Sequence, residues 1–141
     1  MPLSTEQRQQ AEARLRDFAE KRINAAHYDD CTHRFDLLRC ACGGLELEPA
    51  IERHPGDRPG DFKGVLWTTC ADCRERRAAL GVTALEPPPT SSLEHPVCSC
   101  GGRSFIIGNC ERWEDWGFFD EGTVVARCCG CGELRALVDT D

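Results

Sequence analysis

One cysteine pattern occurs twice in this chain. Cys40-Ala41-Cys42-Gly43-Gly44 recurs as Cys98-Ser99-Cys100-Gly101-Gly102, and Cys70-Ala71-Asp72-Cys73 recurs as Cys128-Cys129-Gly130-Cys131. Both recurrences keep a single offset of 58 residues. Neighbouring residues keep it too: Gly64 maps onto Gly122, Glu75 onto Glu133, and Arg77-Ala78 onto Arg135-Ala136. An ungapped offset shared by four cysteines and their flanks marks the duplication of one structural unit. Each unit reads C-x-C-G-G, then 25 residues, then C-x-x-C, so that 27 residues separate the two cysteine pairs.

The spacing suits a metal. Zn²⁺ takes four ligands in a tetrahedron, with thiolate sulfur at ~2.3 Å. A C-x-x-C turn brings two sulfurs to one ion. In C-x-C an extended backbone points both side chains to one face, and Gly-Gly lets the chain turn back sharply. The gap of 27 residues accommodates two strands and a loop that return the second pair to the first. The expected ligand sets are Cys40, Cys42, Cys70 and Cys73, and Cys98, Cys100, Cys128 and Cys131, holding two structural Zn²⁺ ions. Iron is the rival, because tetrahedral S₄ sites suit it as well; zinc is preferred because no electron partner for an iron centre is visible.

Eleven cysteines cannot all pair as disulfides. The N-terminus lacks the apolar stretch of a signal peptide and no apolar run is long enough to span a membrane. The expectation is therefore a cytoplasmic protein, where clustered cysteines ligate metals rather than form disulfides. Three cysteines fall outside the repeat. Cys129 could replace Cys128 as a ligand, but only Cys128 keeps the register. Cys31 and Cys110, with His27 and His33, permit a third metal site; ordinary thiols are the simpler reading.

Two close cysteine pairs separated by a long hairpin resemble the zinc-ribbon family, over residues 38–82 and 96–138. The first knuckle departs from the usual family pattern, being C-x-C rather than C-x-x-C. The resemblance implies a small, metal-stabilised, mostly β fold: two tandem three-stranded zinc ribbons preceded by an N-terminal α-helix. The expected organisation is a helical segment at 1–30, ribbon one at 31–82, a Pro-rich linker at 83–95 and ribbon two at 96–141.

Local signals fill in these elements. Ser4 with Gln7 forms a capping-box pattern opening a helix over 4–27, with an apolar stripe at Ala11, Leu15, Phe18 and Ala25, interrupted at Arg22 and flanked by Ile23 and Ala26. Such a helix either docks on its own protein or pairs with another molecule. Ser104–Ile107, Thr123–Arg127 and Leu134–Val138 read as strands of ribbon two. Leu45–Glu48 and Val65–Thr69 match them in ribbon one, whose third segment, Arg74–Leu80, reads as strand or helix.

Charge and loop composition bear on function. The chain carries a net charge of −7, which argues against sequence-independent nucleic-acid binding. Residues 31–82 hold eight acids and eight bases, whereas 98–141 hold eight acids and four bases. Arg74, Arg76 and Arg77 form the one basic cluster. The stretch Glu111–Glu121 packs Trp113, Trp116, Phe118 and Phe119 among five acids. Four rings are too many to bury beneath so small a sheet, so this loop is the expected partner-binding surface. No nucleophile–base pair or Gly-rich phosphate loop appears, and four-cysteine sites leave no open position for catalysis. The expectation is a non-enzymatic protein-interaction module, an adaptor, assembly subunit or immunity-type inhibitor, whose partner is a protein with a basic surface. The alternative is a nucleic-acid or transcription accessory protein using the arginine cluster and stacking tryptophans.

Overall fold

The computed structural model describes residues 4–23, 31–53, 62–80, 93–114 and 119–140. Helix α1 spans Thr5–Ile23. Its capping box forms as the sequence predicts: the Ser4 backbone N–H donates to Gln7 Oε1 at 3.0 Å, and the Gln7 N–H to Ser4 Oγ at 3.1 Å. Residues 24–27, expected to continue the helix, lie outside the described residues. The buried stripe is Ala11, Leu15, Ala19 and Ile23, a strict i, i+4 row whose alanines let the helix approach a sheet closely. No helix among the described residues is long and apolar enough to cross a membrane.

Seven strands follow: β1 Cys31–Leu37, β2 Glu46–Glu52, β3 Val65–Cys70, β4 Arg76–Leu80, β5 Phe105–Glu114, β6 Phe119–Cys128 and β7 Leu134–Thr140. The ambiguous third segment of unit one is therefore strand. Each unit contributes an antiparallel meander, β2–β3–β4 and β5–β6–β7. The sheet exceeds the expected three strands per ribbon. β2 pairs with β5, giving the order β4-β3-β2-β5-β6-β7, and β1 lies along β5 beyond the end of β2. The physical reason is edge satisfaction. A ribbon's first strand leaves a row of backbone donors and acceptors, and here β2 and β1 together occupy that row on β5.

The β2–β5 junction has symmetry. Leu47 faces Phe105, and these two residues are themselves 58 apart. An antiparallel pair of repeat-equivalent residues places a local two-fold axis at that pair. The flanks obey it. Asp36 of β1 faces Asn109 of β5, and the bridge between Ile51 and Glu94 joins their repeat equivalents. Each unit thus lends the segment before its first knuckle to the other unit's first strand. Glu94 belongs to the stretch 83–95 expected as linker; residues 83–92 lie outside the described residues.

The core divides by sheet face. One face carries a cluster continuous through both units, with Leu47, Ile51, Leu66, Phe105, Ile107, Val124 and Val138. On the other face, α1 covers Ile106, Cys110 and Val125, while Ala50, Val65 and Trp67 gather under Leu93. The helix packs chiefly on β5 and β6. Arg22, which interrupts the apolar stripe, reaches from it to Asp139 Oδ2 on β7 at 2.7 Å.

Candidate metal centres

The two knuckles of each unit are held by the same backbone hydrogen bonds. At the first, Cys40 N donates to Gly44 O at 3.0 Å, and Cys98 N to Gly102 O at 2.8 Å. The following glycines, Gly43 and Gly101, have φ of 89° and 88°, a left-handed conformation that side chains resist. At the second, Cys70 N donates to Glu75 O at 3.0 Å, and Cys128 N to Glu133 O at 2.9 Å. Ala71 N then reaches Glu46 O and Cys129 N reaches Ser104 O, each at 3.0 Å, fixing the second knuckle beside the first.

Four sulfurs converge in each unit. Cys40, Cys42, Cys70 and Cys73 form one group and Cys98, Cys100, Cys128 and Cys131 the other, with the sulfurs of each group within 4.8 Å of one another. Cys40–Cys73 and Cys98–Cys131 stand at 3.4 Å; Cys42–Cys70 and Cys100–Cys128 stand at 3.6 Å. A disulfide needs ~2.0 Å, so these are not bonded pairs. A tetrahedron with ~2.3 Å zinc–sulfur bonds has edges of ~3.8 Å. The two groups suit two metal ions. In each, two cysteines are buried and two exposed.

The electrostatics favour a cation. The Cys73 backbone N–H, opposed by burial, holds the Cys70 thiol down at about 7. At Cys128 burial pulls upward, but the N–H groups of Cys131 and Gly130 win and bring it to about 7; Gly130 N lies 3.3 Å from its sulfur. Cys73 is pulled down by the Glu75 N–H, yet the Cys40 sulfur and burial push it up to about 12. Cys98 behaves alike, with the Cys100 N–H outweighed by the Cys131 sulfur and burial, again reaching about 12. Crowded sulfurs resist joint ionisation, and a divalent ion at their centre removes that resistance.

Second-layer contacts differ between the units. Ser99 Oγ donates to Glu133 Oε2 at 2.7 Å, and the Cys98 thiol points at the same oxygen at 3.5 Å. Unit one has Ala41 and Glu75 at these positions, and Glu75 turns instead to Arg77. The repeat-equivalence of Glu75 and Glu133 was the available signal for this carboxylate; its hydroxyl partner had none.

Cys110 and Cys129 pack away from the two groups, and the Cys31 side chain lies outside the described residues. Cys110 is fully buried beneath α1, and Cys129 packs against the same cluster. Cys31 faces Glu114 on β5, four positions along the strand from Cys110. Among the described residues no third cysteine–histidine group forms; His27 lies outside them. Burial first, then Glu20, pushes the Cys110 thiol up to about 11; burial, then Glu46, pushes Cys129 up to about 12. At pH 8 about one Cys110 thiol in a thousand is then ionised, and only the thiolate reacts. Iodoacetamide at pH 8 is therefore expected to leave Cys110 unmodified in the folded, metal-loaded protein, as read by peptide mass mapping. Rapid labelling there without unfolding would contradict this burial.

Both flanks of the aromatic stretch are strand. Pairing on both sides of β5 extends it to Glu114, and β6 begins at Phe119, so the expected eleven-residue loop shortens to the tip 115–118. Trp113 faces Phe119 across the hairpin, half-buried, with the Arg34 guanidinium over its ring at 5.1 Å. Trp116 and Phe118 lie outside the described residues, as does the Phe119 side chain. Arg74, Arg76 and Arg77 fall at the second knuckle of unit one and on β4. Sequence reasoning missed Arg112, buried on β5 between helix and sheet.

Comparison of the chain with known protein families, with curated proteins and with solved structures finds no match.

Proposed function

We propose that the chain is a zinc-stabilised protein-interaction module of the adaptor, assembly-subunit or inhibitor kind. Two Zn²⁺ ions held by Cys40, Cys42, Cys70 and Cys73 and by Cys98, Cys100, Cys128 and Cys131 give two fused zinc ribbons. Four sulfurs fill a tetrahedron, which supports a structural rather than a catalytic role.

The observation that carries the reading is the polarity of the β5–β6 hairpin. At one end Phe105 faces Cys128; at the other Trp113 faces Phe119. Eight residues separate the ends, ~27 Å of strand. The metal clamps one end while the other carries the half-buried Trp113, in a stretch whose sequence holds five acids. Tryptophan brings a large apolar area and is enriched at interface hot spots. Surrounding carboxylates steer a basic partner.

The alternative, a nucleic-acid accessory protein, would rest on Arg74, Arg76 and Arg77, and the net charge of −7 weighs against it. The double change Trp113→Ala and Trp116→Ala separates interface from core. Nearly unchanged melting and zinc content are expected, with partner capture from host extract weakened by ~2–4 kcal/mol per central anchor. A large fall in melting temperature, or full retention of the partner, would overturn the assignment.

A further inference from the structure

The duplication provides an internal control for unit one's arginines. Arg39, Arg74, Arg76 and Arg77 stand where unit two has Val97, Gly132, Leu134 and Arg135. The backbone is shared: Arg74 N donates to Cys70 O and Gly132 N to Cys128 O, each at 2.9 Å. Unit two shows that the fold does not require three of these cations. One of them is strained. Arg74 holds φ of 64° where its counterpart is glycine at 80°, a conformation that costs a side chain energy and points to a use elsewhere.

The other arginines are poorly satisfied. Arg76 lies over the Trp67 ring at 5.7 Å, and its Nε and Nη2 are shielded from solvent with no hydrogen-bond partner. Among the described residues Arg77 and Arg74 make long, exposed ion pairs, at 3.9 Å to Glu75 and 3.8 Å to Glu48. Arg39 and Arg77 line a groove of about 460 Å³ together with Trp67 and Thr68. The equivalent groove of unit two uses its cations internally: Arg135 Nη1 donates to Val97 O at 3.1 Å, and Arg53 bonds Glu94 at 2.8 Å.

β4 is also a sheet edge, paired among the described residues with β3 alone. Arg76 faces Thr69 and Arg77 faces Thr68, so the two guanidinium groups leave opposite faces of the strand. We infer that β4 is a strand-addition site for an acidic, extended segment of a partner protein, with Arg39, Arg74, Arg76 and Arg77 selecting its carboxylates. Backbone hydrogen bonds from an edge supply affinity and flanking side chains supply choice. Cations on both faces repel basic strands and gain nothing from neutral ones, which also keeps the free edge from indiscriminate pairing. A nucleic-acid strand would leave the β4 backbone groups unmatched.

Fluorescence anisotropy with a labelled short peptide alternating glutamate and valine tests this on the zinc-loaded full chain. Saturable, salt-sensitive binding is expected. Arg39→Glu with Arg77→Glu should weaken it by about two- to thirtyfold, two exposed charge contacts' worth, and Arg135→Glu should leave it unchanged. Arg74→Gly should raise the melting temperature while weakening binding. If the charge-reversal variant loses zinc, Arg77→Gln replaces it. On the unmodified protein, the peptide should slow amide exchange in β4. Absence of binding, equal loss in Arg135→Glu, protection elsewhere than β4, or tighter binding of a single-stranded oligonucleotide through the same arginines would each overturn the inference.

Discussion

Chelation is expected to unfold the protein, and elemental analysis of the folded, reduced chain is expected to give two zinc ions. Structural zinc contributes apparent binding free energies of ~10–16 kcal/mol in small fingers, as much as a whole domain's stability of ~5–15 kcal/mol. Here the sites are continuous with the core. Cys40, Cys70, Cys98 and Cys128 belong to the same buried cluster as Leu47 and Phe105. Cys70, Leu47, Phe105 and Cys128 face one another in a row across four strands. Cys73→Ser should lose one ion and disorder mainly unit one, and Cys131→Ser should do the same in unit two. Each loss should also lower the stability of the other unit, because the row crosses the β2–β5 junction. Cys129→Ser should keep both ions. Acid should release the metal, since the ligands must be deprotonated. A folded, reduced chain with one metal or none, or with iron in place of zinc, would defeat this account.

The second large effect is expected at Arg112. The residue is 4% exposed. Its Nη1 donates to the carbonyl of Ile23, the last residue of α1, at 2.6 Å, and its Nη2 meets Glu121 Oε1 at 3.1 Å. A guanidinium bonded to both elements pins the helix to the sheet, and its charge strengthens each bond. Breaking a buried ion pair by removing one partner costs ~3–5 kcal/mol. Glu121 is partly exposed, so about 3 kcal/mol is expected for Arg112→Met, which keeps much of the volume. Glu121→Gln leaves the buried guanidinium charge without its counter-ion and should cost a comparable amount, about 2–3 kcal/mol, although the bond to the helix is kept. Urea unfolding of the zinc-loaded protein measures both. An Arg112→Met variant within about 0.5 kcal/mol of the parent, the range of neutral surface changes, would show that the guanidinium does not fasten α1.

Much of the local structure was legible. The cysteine register singled out Cys128 over Cys129, and Ser4–Gln7 marked the helix start, because metal geometry and capping act over a few residues. Pairing between distant segments was not legible. β1 reads as an unremarkable run, Cys31-Thr32-His33-Arg34-Phe35-Asp36-Leu37, and becomes a strand only because β5 offers it an edge. Arg112 read as one more charge in an acidic loop; its burial follows from β5 continuing under α1. Ala19 escaped the apolar stripe because a small residue weighs little in a pattern although it lets the helix sit close. The tip shortened for the same reason that β1 formed: strand length is set by available partners as much as by propensity.

The axis through Leu47 and Phe105 gives the molecule the internal geometry of an isologous homodimer, in which one surface patch meets its own copy. Two free protomers of that kind would assemble only as concentration allowed. Joined in one polypeptide, the encounter becomes intramolecular, with an effective concentration set by the tether rather than by expression level. Dilution then cannot separate the halves. Identical protomers must also change together, whereas covalently joined halves are coded separately. One half is therefore free to gather arginines while the other gathers acids, giving an asymmetric surface on a symmetric frame.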